Sequence, residues 1–176
     1  MATFVLIPGG GGAAWYWHLV VPELEIAGHE AIAVDIPEDD PSLGLPEYAQ
    51  AVDLAVGERT DVVLAAHSMG AFTAPVVATR RPVRLVALIN AMVPVPGETP
   101  GRWWENTGQP AALQAADERA GRRGGFSEAT HFLHDVHEEI LAGAPDERGP
   151  AETPFGQACD FPKVGGHPGA EPHRHR

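Results

Sequence analysis

Asp61-Val-Val-Leu-Ala-Ala-His-Ser-Met-Gly-Ala-Phe-Thr-Ala-Pro75 decides how the rest of the chain is read. Its opening is a short apolar run, and a helical pattern begins as soon as Ala66-His67-Ser68-Met69-Gly70 has passed. A serine therefore sits where a strand turns into a helix, with a small residue two places before it and a glycine two places after. That is the spacing of a nucleophile elbow, G-x-S-x-G, with Ala66 in the place of the first glycine. The turn is tight, so larger flanking side chains would collide with neighbouring backbone, and the hydroxyl is pushed above the end of the sheet. Ser68 is the candidate nucleophile. The plainer alternative is that Ser68 only opens a helix, which serine does readily.

Working outward, the same strand-then-helix rhythm repeats. Thr3-Phe-Val-Leu-Ile7 is apolar throughout, as a strand covered on both faces should be, and Pro8 with Gly9-Gly-Gly-Gly12 stops it. Leu19, Val20, Leu24 and Ala27 mark a helix closed by Gly28. Glu30 to Asp35 reads as the second strand and Glu38 to Leu45 as an acidic loop. Leu45 to Gly57 reads as a helix with Pro46 in its first turn. Asp61 to Ala66 is the third strand, Gly70 to Thr79 the helix after the serine, and Val83 to Ile89 the fourth strand. Four such alternations predict an α/β fold, a parallel sheet with helices on both faces.

After Ala91 the rhythm breaks. Prolines and Trp103-Trp104 lead into two expected helices, Pro110 to Ala120 and Ala129 to Leu141. The expected division is a core over residues 1–92, a helical cap or lid over 93–160, and an unstructured Gly/Pro/His-rich tail over 161–176.

Composition limits the partners. The 176 residues are 44% apolar and 20% charged, as in an ordinary globular domain, and carry a formal charge of -12. That charge disfavours nucleic acid and anionic membrane surfaces. One cysteine, Cys159, excludes an internal disulfide and fits a reducing compartment. No apolar run is long enough to span a membrane. Met1-Ala-Thr3 lacks the charged start of a signal peptide, so the cytoplasm is the expected location.

Serine is a weak nucleophile near neutral pH and needs a base, an acid to orient it, and donors for a developing oxyanion. The N–H of Met69 opens a helix and so lacks an intrahelical partner. A second donor is expected from the loop at Pro8-Gly9-Gly10. His67 reads as part of the elbow's packing rather than as the base. His131, His134 and His137, three residues apart, drift round a helix and read as solvated or capping rather than as metal ligands. Trp103, Trp104, Phe126, Phe132 and Phe155 either line an acyl or alcohol pocket or pack the cap. A rival reading takes Gly9, Gly11 and Ala14 as G-x-G-x-x-[GA], with Asp35 about twenty residues on, the pattern of a dinucleotide-binding turn. Against it, Trp15-Tyr-Trp17 crowds the helix start that would receive a pyrophosphate, and the elbow is left unexplained. No metal or cofactor is expected.

Phe4-Val-Leu-Ile-Pro-Gly-Gly10, Trp15-Tyr-Trp17, Ala27-Gly-His29, Val34-Asp35 and Ala66-His-Ser-Met-Gly70, in that order, resemble the α/β-hydrolase superfamily. The similarity is to its branch of small esterases related to plant methylesterases and hydroxynitrile lyases, and it extends over residues 3 to 160. Gly101 to Gly108 and His131 to Val136 resemble that branch's cap. The resemblance implies a carboxylesterase-like serine hydrolase acting on a small ester substrate through an acyl-enzyme on Ser68. The N–H groups of Gly10 and Met69 would form the oxyanion hole. Members commonly have His-Gly where this chain has Pro8-Gly9, a change that a backbone donor at Gly10 survives. By family connectivity the strand order is 2-1-3-4, which brings the glycine loop and Ser68 together at the switch point.

The resemblance weakens toward the C-terminus. The family's acid and histidine follow two further strands after the cap, and neither strand is recognisable here. Gly165-Gly-His167 resembles the Gly-Gly-His that carries the family's base, which makes His167 the candidate base and Asp160 a weaker candidate acid. The chain reads as shortened, or altered in reading frame, at this end. The fourth strand would then be a long apolar edge, so marginal stability or a homo-oligomer through that edge is expected. The remaining alternative is a non-catalytic binder on the same scaffold.

Overall fold

Strand β1 (Thr3–Ile7) lies at the centre of a four-stranded parallel sheet because its apolar residues can be covered on both faces. It pairs on one side with β2 (Glu30–Ala33) and on the other with β3 (Val62–His67), and β3 pairs in turn with β4 (Leu85–Ile89). The order is β2-β1-β3-β4, as expected. The structure, a computed structural model, describes residues 1–146, 149 and 151–162.

Alternation along the strands sends side chains to two faces. Val5, Ile7, Val62, Leu64 and Ala66 join the larger buried cluster. Over them lie helix α2 (Leu45–Val56), through Leu45, Tyr48, Ala49, Val52 and Val56, and helix α3 (Gly70–Arg80), through Phe72, Ala74 and Val77. The α2 positions fall at the helical spacing of one face, and burying each large apolar side chain contributes about 1.5–3 kcal/mol. On the opposite face Leu6 and Ala65 pack with Trp17, and helix α1 (Val20–Ile26) adds Val21 and Leu24. This second cluster is small, and β4 shows it. Leu85 is 54%, Leu88 41% and Ile89 42% exposed.

Beyond β4 the regular elements among the described residues are all helices. Thr99 caps helix α4 (Pro100–Thr107) by accepting from the Arg102 N–H at 3.2 Å. Gly108, at φ 64°, breaks the chain between α4 and helix α5 (Gln109–Ala120). The single helix expected over Ala129 to Leu141 is instead two short ones, α6 (Glu128–His131) and α7 (Glu138–Leu141). Tertiary bonds cause the break. His131 Nε2 lies 3.1 Å from both Asp117 carboxylate oxygens on α5, while its Nδ1 meets the Ser127 carbonyl at 2.9 Å. Asp117, with Ser127 adding to it, raises the His131 pKa above the ordinary histidine value. Arg122 and then His131 hold Asp117 below the usual carboxylate range. After this anchor the Leu133 N–H turns back to Glu128, and the chain is extended at His137, with ψ 140°.

Residues 151–162 return to the core. Cys159 is fully buried and its thiol donates to the Phe72 carbonyl at 3.0 Å. Burial, with Asp160 adding to it, pushes that thiol up to about 12. The Gln157 carboxamide oxygen accepts from the Leu45 N–H at 2.6 Å. Among the described residues no helix is long and apolar enough to cross a membrane.

Candidate active site

Ser68 stands between the end of β3 and the start of α3, at φ 49°, in the left-handed region that non-glycine residues rarely adopt. Such a residue stores about 1–3 kcal/mol and persists only where its surroundings over-determine it. Here three backbone bonds do so. The Ser68 N–H donates to the Ile89 carbonyl at 3.3 Å, while the Ser68 carbonyl accepts from Met92 at 3.1 Å and Ala71 at 3.2 Å. Asn90, the other non-glycine residue at positive φ among those described (44°), turns the chain after β4 so that Ile89 and Met92 can both reach Ser68. Asparagine tolerates this conformation better than most residues.

The small flanking residues are demanded by contact. A Cβ on Gly70 would lie 2.4 Å from the Pro8 carbonyl oxygen. A Cβ on Gly9 would lie 2.8 Å from Ser68 Cβ and 3.4 Å from its Oγ, so the glycine loop rests directly against the serine. Ala66 is wholly buried. Neither the Gly10 N–H nor the Met69 N–H donates to any described residue, and the Ser68 hydroxyl likewise has no partner among them. Gly10 is exposed and Met69 buried.

His67 is half-buried with its ring edge-on to Trp17, 6.3 Å between centroids, and burial lowers its pKa. It is packed, as the sequence reading has it. His167 lies outside the described residues. Asp160 is exposed, and no described residue hydrogen-bonds its carboxyl. Trp103, Trp104 and Phe155 pack against the larger core cluster, which includes Met69 and Met92. Phe126 and Phe132 instead line a cavity of about 190 Å³ with Leu113, Arg122 and His131, a cavity that includes none of Ser68, Gly10 or Met69. No three His, Cys, Asp or Glu side chains converge as metal ligands among the described residues.

The glycine loop does not open a long helix, as a pyrophosphate site requires. It leads into a single 3₁₀ turn, Ala14–Trp17, and the Asp35 carboxylate that would hold a ribose instead accepts from the Ala14 N–H at 2.8 Å. One contact here has no signature in the sequence. Glu38, read there only as the start of an acidic loop, is buried at 6% exposure and accepts from the Gly11 N–H at 2.8 Å.

Comparison with known proteins bears on the family and the fold. Over 97 residues the chain is 33% identical to methylesterase 7 of Arabidopsis thaliana, covering 49% of this chain and 37% of that one. Over 112 residues it is 34% identical to the probable esterase PIR7A of Oryza sativa subsp. indica, covering 56% and 42%. The chain thus spans about two-fifths of the length of these relatives. In structure it resembles an extracellular α/β-hydrolase from a Paenibacillus species, with a TM-score of 0.67 at 17% identity over 92% of this chain and 72% of that one. The model of the alpha/beta hydrolase family matches residues 4–170. With Ser68 strained at the strand-to-helix turn beneath a glycine loop, the chain belongs to the alpha/beta hydrolase family.

Proposed function

We propose that the chain is a serine hydrolase of small carboxylic esters, acting through an acyl-enzyme on Ser68. The observation that carries this is the strained, clasped backbone of Ser68, with its hydroxyl unpartnered among the described residues. The plant relatives bear esterase names, which supports esters as the substrate class. In the reaction Ser68 Oγ attacks the ester carbonyl carbon and its proton passes to a base. The carbonyl oxygen becomes an oxyanion, for which the N–H groups of Gly10 and Met69 are the donors. Collapse expels the alcohol, which takes up a proton, and water then cleaves the acyl–Ser68 bond to release the acid. Each oxyanion donor of this kind is worth roughly 10²–10³ in rate. His167 is the proposed base. We read the helical segment after residue 92 as a lid, supported by the packing of Trp103 and Trp104 onto the cluster that holds Met69.

The test is hydrolysis of p-nitrophenyl acetate by the wild-type chain, Ser68→Ala and His167→Ala. Turnover should vanish in Ser68→Ala, and it should fall by roughly 10²–10⁴ in His167→Ala if that histidine takes the proton. A wild-type chain that folds and hydrolyses no better than Ser68→Ala is a non-catalytic binder. Equal rates for wild type and His167→Ala place the base elsewhere.

The same reading extends to self-association. β4 is apolar along its length, and among the described residues only β3 pairs with it. An unpaired, apolar edge recruits another strand, and a charge placed on it deters pairing. Sedimentation velocity at rising concentration should show wild type associating and Leu88→Lys remaining monomeric. A wild-type monomer at high concentration contradicts the edge-pairing reading.

A further inference from the structure

Gly9 to Gly12 is the segment with most backbone freedom to lose, since glycine pays more conformational entropy on ordering than any other residue. Something outside the loop must hold it, and the segment following β2 does. The Ile36 N–H donates to the Gly12 carbonyl at 2.7 Å, and the Gly12 N–H donates back to the Gly9 carbonyl at 3.1 Å. The fit leaves no slack, because a Cβ on Gly12 would lie 2.7 Å from the Ile36 carbonyl oxygen and 3.2 Å from Glu38 Cγ. Gly11, at φ 91°, gives its N–H to the buried Glu38 carboxyl at 2.8 Å.

The consequence for Gly10 follows from peptide planarity. Its N–H shares a rigid plane with the Gly9 carbonyl, so whatever fixes that carbonyl aims the N–H. The Gly12 bond fixes the plane from one side. Glu38 fixes the next peptide, Gly10–Gly11, from the other, and it is the one buried side chain that hydrogen-bonds the loop among the described residues. A buried carboxyl is costly to keep unless its bonds are needed. Tyr48, 1% exposed and with no hydrogen-bond partner for its hydroxyl, lines the same narrow crevice, together with Gly9, Met69 and Gly70.

We propose that Glu38 is a positioning residue for the hydrolase reaction: its carboxyl holds the Gly10–Gly11 peptide so that the Gly10 N–H meets the oxyanion formed at Ser68. The inference rests on the reading of Ser68 as nucleophile. It requires an acceptor at residue 38 and not a negative charge. Glu38→Gln keeps an acceptor oxygen for the Gly11 N–H at the same side-chain length. Glu38→Ala removes the acceptor, and Glu38→Asp withdraws it by one methylene.

The experiment measures labelling by a fluorophosphonate, whose phosphoryl oxygen occupies the oxyanion position, in wild type, Ser68→Ala and the three Glu38 variants. Exchange of backbone amide hydrogens in the peptide covering residues 8–14 is followed alongside. In Glu38→Ala the maximal labelling rate should fall roughly 10- to 100-fold, part of the effect of losing a donor outright. Its half-saturating probe concentration should stay near that of wild type, and amides of the loop should exchange faster. Glu38→Gln should stay within about threefold of wild type on the same scale, with Glu38→Asp between. Should Glu38→Ala fail to fold, the ordering of Gln above Asp decides. Glu38→Ala labelling like wild type overturns the inference alone, as do losses in all three variants that merely track their melting temperatures. A wild type that labels no better than Ser68→Ala overturns the underlying reading, and the inference with it.

Discussion

Gly70→Ala should destabilise the chain by about 3 kcal/mol, the cost of forcing a methyl group into a filled space. The sign is the informative part. At an ordinary helical position the same change stabilises by up to about 1 kcal/mol, because alanine orders more cheaply than glycine. Gly70 begins α3, yet its Cβ would stand 2.4 Å from the Pro8 carbonyl oxygen, 3.0 Å from Ile7 Cγ2 and 3.1 Å from the Ile7 carbonyl oxygen. Two of those three atoms are backbone, one on the last residue of a strand paired on both sides and the other on the residue after it, so relieving the clash must displace main chain rather than the end of a flexible side chain. Urea unfolding of the two proteins measures the difference. A stability equal to or above wild type would mean that the elbow does not press against the end of β1 as described.

Gly9→Ala should act on the reaction more than on the fold. Its methyl group would lie 2.8 Å from Ser68 Cβ and 3.2 Å from His67 Nδ1. Ser68 is clasped by Ile89, Ala71 and Met92, so the glycine loop is the partner that gives way. A displacement near 1 Å between a nucleophile and the groups that serve it costs about 100-fold in rate. Fluorophosphonate labelling should therefore slow by about that factor, while the unfolding midpoint moves less than in Gly70→Ala. Unchanged labelling would separate the glycine loop from the chemistry.

The sheet was legible because its strands are short apolar runs and its helices carry amphipathic spacing. Thr3–Ile7 and Gly70–Arg80 fall within a residue of their expected bounds. Ser68 was legible because steric demands at a tight turn are written into its neighbours, Ala66 and Gly70. What escaped was long-range. Glu38 sits in a run of acids that any local reading gives to solvent, and only the arrival of Gly11 from 27 residues away makes it a buried acceptor. Asn90 could have been suspected as a turn residue, but its purpose, bringing Ile89 and Met92 to Ser68, is set by the sheet order. The break after His131 arises from Asp117 on another helix, against a local pattern that favours continuation. Cys159 reads as a lone thiol, whereas its burial against Phe72 closes the returning segment onto the core.

The central claim, that Ser68 is a nucleophile on an α/β-hydrolase elbow, is tested most directly by locating the adduct after fluorophosphonate treatment. The chain has three serines, Ser42, Ser68 and Ser127, so peptide mapping by tandem mass spectrometry distinguishes them. A single adduct, on Ser68, is expected in protein that is folded and untreated with denaturant. A folded chain that acquires no adduct, or one modified at Ser42 or Ser127 instead, contradicts it.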